Sequence, residues 1–218
     1  MPISRWIKDP YCGLSHWVGA GLSIAALAVL LTVSKGPGWH AAMLAFYGAS
    51  LIVLYVSSAL AHSIKCSQEV EDRLTRVDYA AIFLLIAGTY TPVCTIAVGG
   101  AWGWGIAIGE WTLAAIGIPL VVLGSGTSNL VRTILYLCMG WLGLLAAVPV
   151  LHALSTNGIV WLLAGGIAYS VGAIIFVTNR PNLWPGRFHA HDLWHSLVLV
   201  GSACHFILIL SFVASATD

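Results

Sequence analysis

Two histidines four residues apart, His191 and His195, are the strongest chemical signal in this chain of 218 residues. On a helix such a pair projects from one face about one turn apart, so the two imidazoles can share a metal ion. His62 offers a third nitrogen. Three histidines that leave a fourth position for water are typical of catalytic zinc, which lowers the pKa of the bound water to about 7. We therefore predict a Zn²⁺ site formed by these three residues.

Asp78 and Ser58 are the predicted catalytic residues beside this metal. The Asp78 carboxylate could accept a proton from the water or orient it, as a general base must. Ser58 lies four residues before His62 and shares its helical face. Its hydroxyl could therefore orient Asp78 or a bound water.

Other ligand sets remain open at the level of the sequence. Cys66, four residues beyond His62, could replace one histidine if the helix continues, although a reduced loop cysteine is the simpler interpretation. A b-type haem is a weaker alternative. It would need His62 with one histidine of the pair, or His16 with His205.

Composition indicates that lipid, and not water, surrounds most of the chain. Hydrophobic residues make up 59% and Asp, Glu, Lys and Arg only 8%, against about 25% charged residues in soluble domains. Nine Lys and Arg with a net charge of +1 supply too little clustered positive charge for nucleic acid. A partner of that class is therefore not expected.

Seven near-uncharged stretches are long enough to cross a bilayer, which takes about 20 apolar residues each. They are residues 14–33, 41–63, 78–98, 104–123, 130–151, 159–177 and 191–213. The predicted fold is therefore all-α, with one seven-helix transmembrane domain over residues 1–218. We expect a multi-pass protein of the inner cell membrane.

Basic residues predict the orientation, because short cytoplasmic loops carry most Lys and Arg. If the amino terminus is inside and the carboxy terminus outside, Lys35 is the only one of the nine Lys and Arg residues that lies outside the cytoplasm. The cytoplasmic basic residues are then Arg5, Lys8, Lys65, Arg73, Arg76, Arg132, Arg180 and Arg187. Ionisable residues in membrane spans are candidate functional sites. Five such residues, which belong to four different spans, lie at the cytoplasmic end. They are His16, His62, Asp78, His191 and His195.

Two further ionisable side chains lie deeper in the predicted spans. Glu110 in the fourth span is predicted to be hydrogen-bonded between helices in a structural role, or else to belong to a proton path. His205 lies about 15 Å beyond His195 along a helix. We predict that it packs or forms a hydrogen bond within the bundle and does not join the metal site.

Spaced blocks of this sequence resemble the signatures of a membrane-protein family. They are SSALAHS at 57–63, VDYAAIF at 77–83 with AGTYTP at 87–92, HDLWHS at 191–196 with HF at 205–206, and DP at 9–10 followed by GLSH at 13–16. The chain thus resembles the haemolysin III family, the bacterial branch of the progestin and adipoQ receptor (PAQR) family, which includes the adiponectin receptors. Cys12 departs from the pattern, since bacterial members often carry Asn there, and the resemblance assigns no role to that position.

The resemblance implies a seven-helix bundle with its amino terminus inside. It also implies zinc near the cytoplasmic face, bound by His62, His191 and His195, with Asp78 and Ser58 beside it. Related receptors are associated with hydrolysis of lipid amides such as ceramide. For the bacterial branch the implied role is membrane-lipid homeostasis.

Three functions are compatible with these features. The leading hypothesis is a zinc-dependent hydrolase that acts on a lipid amide or ester at the inner leaflet, so its partner is a membrane lipid. The alternative is a non-enzymatic sensor or receptor of membrane composition, in which zinc is structural. A haemolysin-like pore ranks lowest, because a conducting path needs polar residues along the full membrane depth and here they cluster at one end.

Overall fold

The structure, a computed structural model, describes residues 7–124 and 127–214. Arg5 and residues 215–218, to which the predicted orientation also refers, lie outside these ranges. The helices are α1 (Pro10–Val33), α2 (Gly38–Ser63), α3 (Gln68–Pro92), α4 (Gly100–Leu123), α5 (Asn129–Gly140), α6 (Ala147–Ala153), α7 (Thr156–Thr178) and α8 (Ala190–Phe212). A π-helical segment, Val93–Val98, continues α3, and a 3-10 segment, Leu142–Ala146, joins α5 to α6.

Seven spans within the described ranges are long and apolar enough to cross a membrane, with α5 and α6 forming one of them. Their outer faces are apolar: Leu22, Ile108 and Leu145 are between 62% and 67% exposed. Water-facing surfaces rarely carry such large apolar patches, whereas lipid-facing surfaces do. The prediction of an all-α chain with seven helices of membrane-spanning length is confirmed, and the orientation stays a prediction.

The spans run up and down through the bundle, which gives it two distinct ends. We call the end at which α1, α3 and α8 begin and α2 finishes the histidine end, and the opposite end the far end. The main core joins α1, α2, α3 and α8. Gly19 of α1 lets that helix approach closely, since a Cβ there would stand 2.6 Å from the Tyr55 ring of α2. The first helix is thereby held against its neighbours at the histidine end.

The third span begins ten residues earlier than predicted, at Gln68 and not at Asp78. Its first turns are polar, with Glu69 and Glu71 at the positive end of the helix dipole. Arg73 Nη2 also donates to Glu69 Oε1 at 2.5 Å, one turn apart. Hydropathy marks only the apolar part of a helix, so it missed these turns, which place Asp78 well inside α3.

The fifth span, predicted as one helix over 130–151, is interrupted in its middle. α5 ends at Gly140 and regular helix resumes only at Ala147. Tyr90 of α3 supports the break, because its hydroxyl donates to the Gly140 carbonyl at 2.8 Å and accepts from the Gly143 N–H at 2.9 Å. Non-helical backbone is tolerated at membrane depth only when the protein satisfies it in this way.

Candidate metal centre

The histidine pair lies in the first two turns of α8. A capping box fixes this helix start, since Asp192 Oδ2 accepts from the His189 backbone N–H at 2.8 Å. The Nε2 atoms of His191 and His195 are 3.0 Å apart. Two nitrogens bound to tetrahedral zinc stand about 3.3 Å apart, given Zn–N bonds of about 2.0–2.1 Å. The pair therefore has the spacing of two ligands of one ion.

His62 reaches the pair from the last turn of α2. Its ring lies 4.6 Å from that of His195 and 5.1 Å from that of His191, measured between centroids. On its other side, His62 Nδ1 donates to Asp9 Oδ2 at 2.9 Å, since a carboxylate can only accept. A carboxylate in this position is the usual support of a metal-binding histidine, whose Nε2 then carries the lone pair. Sequence reasoning had not assigned this role to Asp9.

Cys12, which the sequence analysis left without a role, joins the three histidines. One ligand atom from each of Cys12, His62, His191 and His195 lies within 4.8 Å of all the others. The predicted first span began at residue 14, whereas α1 begins at Pro10, and the additional turn carries Cys12 into the bundle. Imidazole nitrogen and thiolate sulfur are the donors zinc prefers. The structure thus contains a His/Cys cluster able to hold a metal ion.

His16, predicted to lie in this layer, contacts the cluster from behind. Its Nε2 is 3.0 Å from His195 Nδ1, and its ring packs edge-on against Tyr55 at 5.0 Å. A histidine that binds metal through Nε2 carries its proton on Nδ1, so His195 would donate that proton to His16. His16 is thus placed to fix the His195 ring and is not itself a member of the four-residue cluster.

Asp78 and Ser58 are both buried beside the histidines. Asp78 Oδ2 is 3.9 Å from His62 Nε2, which is longer than a direct hydrogen bond and suits a shared water. Ser58, one turn before His62 on α2, interacts with the Asp78 carboxyl group. The two predicted catalytic residues therefore stand together at the edge of the cluster.

An elongated cavity leads from the cluster into the bundle. It follows α3 from Thr75 to Tyr90, about 22 Å along the helix axis, against about 30 Å for the hydrocarbon core of a bilayer. It reaches Trp141 at the break in the fifth span. Its walls are mostly apolar, with Ile82, Leu85, Ile86, Phe176 and Val198 among them. A polar mouth over a long apolar interior is the form of a binding site for an extended apolar molecule.

The alternative ligands of the sequence analysis lie outside the cluster. Cys66 is exposed in the connection after α2, which ends at Ser63, and so fits a reduced loop cysteine. His205 Nε2 donates to the Leu162 carbonyl at 3.2 Å, which confirms its predicted hydrogen bond in the bundle. The rings of His62 and His195 stand too close together for a porphyrin to enter between them. The geometry therefore does not support a haem between His62 and His195.

Glu110 is fully buried in α4. Among the residues that the structure describes, neither of its carboxyl oxygens has a hydrogen-bond partner. The hydrogen bond predicted between helices is thus not observed. Glu110 lies one turn beyond Ile106 and Ala107, which pack in a small apolar cluster with Cys94 and Ala146.

Comparison with known proteins places the chain among polytopic membrane proteins. The family described as "Haemolysin-III related" matches residues 4–206. "Hemolysin-3" of Bacillus cereus is 42% identical over 214 residues, covering 97% of this chain and 94% of the relative. "Hemolysin-3 homolog" of Bacillus subtilis (strain 168) is 37% identical over 201 residues, 91% of each chain. "Heptahelical transmembrane protein ADIPOR2" of Oryza sativa subsp. japonica is 31% identical over 173 residues, covering 70% and 73% of the two chains.

Proposed function

The chain belongs to the haemolysin III family, as its sequence blocks predicted, and we propose that it is a zinc-dependent hydrolase of a lipid amide or ester. The observation that supports the proposal most strongly is where the histidine cluster meets the cavity. Three histidines and a buried carboxyl group meet at the mouth of an elongated apolar cavity. Metal ligands serve many purposes, but their position at the mouth of an apolar cavity that extends along α3 favours chemistry on a lipid.

The residues that would hold the zinc are His62, His191 and His195. Bound there, zinc supplies Lewis-acid polarisation of a carbonyl group and lowers the pKa of water towards about 7. Asp9 and His16 act through the ligands: Asp9 accepts from His62, and His16 supports His195. Preorganised rings of this kind bind an ion without first reorienting.

Asp78 is the proposed general base. Its carboxylate takes a proton from the water whose oxygen adds to the carbonyl carbon, and returns that proton to the nitrogen or oxygen that leaves. The carbon–nitrogen or carbon–oxygen bond breaks, and the products are a fatty acid and an amine or alcohol. Ser58 positions the carboxyl group through their contact.

The apolar cavity is the proposed site of the acyl chain. An acyl chain that extends along α3 towards Trp141 would bring its carbonyl group to the cluster. Its hydrocarbon would also displace water from the apolar walls, a favourable transfer. The substrate class is therefore a membrane lipid with at least one long acyl chain, and the role is in membrane-lipid homeostasis.

The histidine end is proposed to face the cytoplasm, which places the chemistry at the inner leaflet. Among the described residues, Lys8, Lys65 and Arg73 lie at that end, and Lys35 lies at the far end. This distribution follows the rule that short inside loops are rich in Lys and Arg. Cys66 is an exposed thiol in the connection after α2. A membrane-impermeant maleimide should label it in inverted membrane vesicles and leave it unlabelled in intact cells.

The direct test uses the purified full-length protein in lipid nanodiscs. Metal analysis should give about one zinc per chain, and fatty acid should be released from ceramide-like amides or from ester lipids. The matched control is Asp72→Asn, an exposed acid on the first turns of α3, which should retain both properties. A folded wild-type protein that retains no zinc, after it has been loaded with zinc and dialysed to remove the free metal, would overturn the proposal.

A structural-zinc sensor is the second candidate, and Cys12 is the observation that favours it. Four protein ligands close a zinc site, as in structural centres, whereas catalytic sites keep one position open. Asp78→Asn separates the two functions. A sensor should keep its metal, its stability and its cellular phenotype, whereas a hydrolase should keep the metal and lose fatty-acid release.

A further inference from the structure

Cys12 lies beside the three histidines of the proposed metal site. Its side chain is 1% exposed, and its Sγ lies within 4.8 Å of a ligand atom of each of His62, His191 and His195. We propose that the Cys12 thiolate is a fourth ligand that closes the metal site in the resting protein. This inference rests on the metal site of the proposed function and describes how that site is regulated.

The geometry needs only a small contraction. With a Zn–S bond of about 2.3 Å and Zn–N bonds of about 2.0–2.1 Å, a tetrahedral ion holds sulfur about 3.6 Å from each nitrogen. No sulfur–nitrogen separation in the cluster exceeds this by more than about 1.2 Å, a difference that side-chain torsions can reduce.

The surroundings of Cys12 differ from those of a cysteine that merely fills space. A buried free cysteine usually packs as a small hydrophobe. Cys12 instead directs its sulfur at the polar start of α8, where the thiol donates to Asp192 Oδ1 at 3.2 Å. Because the thiolate is the form that binds metal, this proton passes to the Asp192 carboxylate as the S–H bond breaks and the metal–sulfur bond forms. Asp192 holds the sulfur beside the histidines until then.

A fourth protein ligand changes what the site can do. Hydrolysis needs a position for water, and the sulfur of Cys12 would occupy it. The sulfur must therefore leave before a substrate carbonyl can react, which makes the resting protein a latent hydrolase. Replacing Cys12 by Asn removes the sulfur and should raise the rate of fatty-acid release while weakening metal retention.

Cobalt substitution tests the ligand directly, without any assay of activity. The purified, metal-depleted protein is titrated with Co²⁺, whose absorption reports both four-coordinate geometry and sulfur-to-cobalt charge transfer. Wild-type protein should show both signals, and Cys12→Ser should lose only the charge-transfer band. The matched control is Cys204→Ser, a buried cysteine of α8 nine residues beyond His195, which should behave as wild type.

The outcomes separate this inference from the proposed function. Cobalt bound without a charge-transfer band in the wild type, or a band that survives in Cys12→Ser, overturns the fourth ligand and leaves the three-histidine site intact. No cobalt binding in a folded wild-type protein overturns both. Zinc retention gives a second measure, since Cys12→Ser and Cys12→Asn should each weaken affinity about tenfold or more against a competing chelator. Unchanged affinity in both variants contradicts the proposal.

Discussion

The bundle holds acidic side chains in two regions that are built in opposite ways. At the histidine end, Asp9 accepts from His62 and Asp192 accepts from Cys12 and from the start of α8. Asp78 adds a third carboxyl group beside the same ring of His62. In α4, by contrast, Glu110 is 0% exposed and neither of its oxygens is hydrogen-bonded within the described ranges.

The comparison shows that burial of an acid in a membrane helix does not by itself identify a site. An unpaired buried polar group costs about 1–3 kcal/mol, so we expect Glu110 to lower the stability of the fold. At the histidine end the acids hold imidazoles and a thiol in place, and those groups come from separate helices. The functional region is therefore distinguished by side chains from several helices that contact one another, and not by the depth at which an acid is buried.

The largest expected effect concerns metal binding. His191→Ala and His195→Ala should each reduce bound zinc from about one per chain to near zero, because each removes one of three imidazoles. Glu110→Gln should leave the zinc content unchanged. Metal analysis of the dialysed proteins measures both. Equal loss of zinc in Glu110→Gln would erase the distinction between the two regions.

The next effect concerns catalysis at unchanged metal content. Asp78→Asn should lower fatty-acid release by about 10²–10⁴-fold, the usual contribution of a general base, and should retain zinc. Release is measured under saturating substrate with metal quantified on the same sample. If the variant hydrolyses lipid at the wild-type rate, Asp78 has no part in the chemistry.

A smaller effect is expected from the carboxylate behind His62. Asp9→Asn should weaken zinc affinity by about 10–100-fold, because an amide supports the imidazole less well than a carboxylate. Chelator competition measures the change. Asp72→Asn, on the exposed face of α3, is the matched control and should have the wild-type affinity. An affinity in Asp9→Asn equal to that of the control contradicts the supporting role.

The smallest effect concerns the stability of the region around Glu110 in α4. Glu110→Leu should raise the free energy of unfolding by about 1–3 kcal/mol, since it removes an unpaired polar group from an apolar neighbourhood. Glu69→Gln, which breaks an exposed ion pair with Arg73, should change it by less than about 1 kcal/mol. Thermal unfolding in detergent compares them. A destabilised Glu110→Leu protein would show that the Glu110 carboxyl group makes a stabilising interaction.

Sequence reasoning succeeded where a property is local to one helix. Apolar length located the seven spans, and a spacing of four residues placed His191 and His195 on one face of a helix, where their Nε2 atoms are 3.0 Å apart. It failed at the break after Gly140, because residues on both sides are apolar and only the Tyr90 hydroxyl of another helix reveals it. Hydropathy carries no information about which backbone groups a distant side chain satisfies.

The same limit applied to the site. The roles of Cys12 and His16 depend on the packing of α1 against α8, a contact between residues about 180 positions apart in the chain. The sequence pattern within α1 does not indicate that α8 packs against it. Asp9 was part of a recognised block, yet its hydrogen bond to His62 follows only from how the residues before α1 approach the last turn of α2.

The origin of the cluster in the first, second and last helices has a consequence for biosynthesis. The chain emerges amino terminus first, so Cys12 and His62 enter the membrane while the segment with His191 and His195 is still untranslated. The four residues of the cluster can meet only when α8 inserts beside α1. The complete His/Cys cluster can therefore form only after α8 has been inserted, and a chain arrested before α8 would lack two of its four members, His191 and His195.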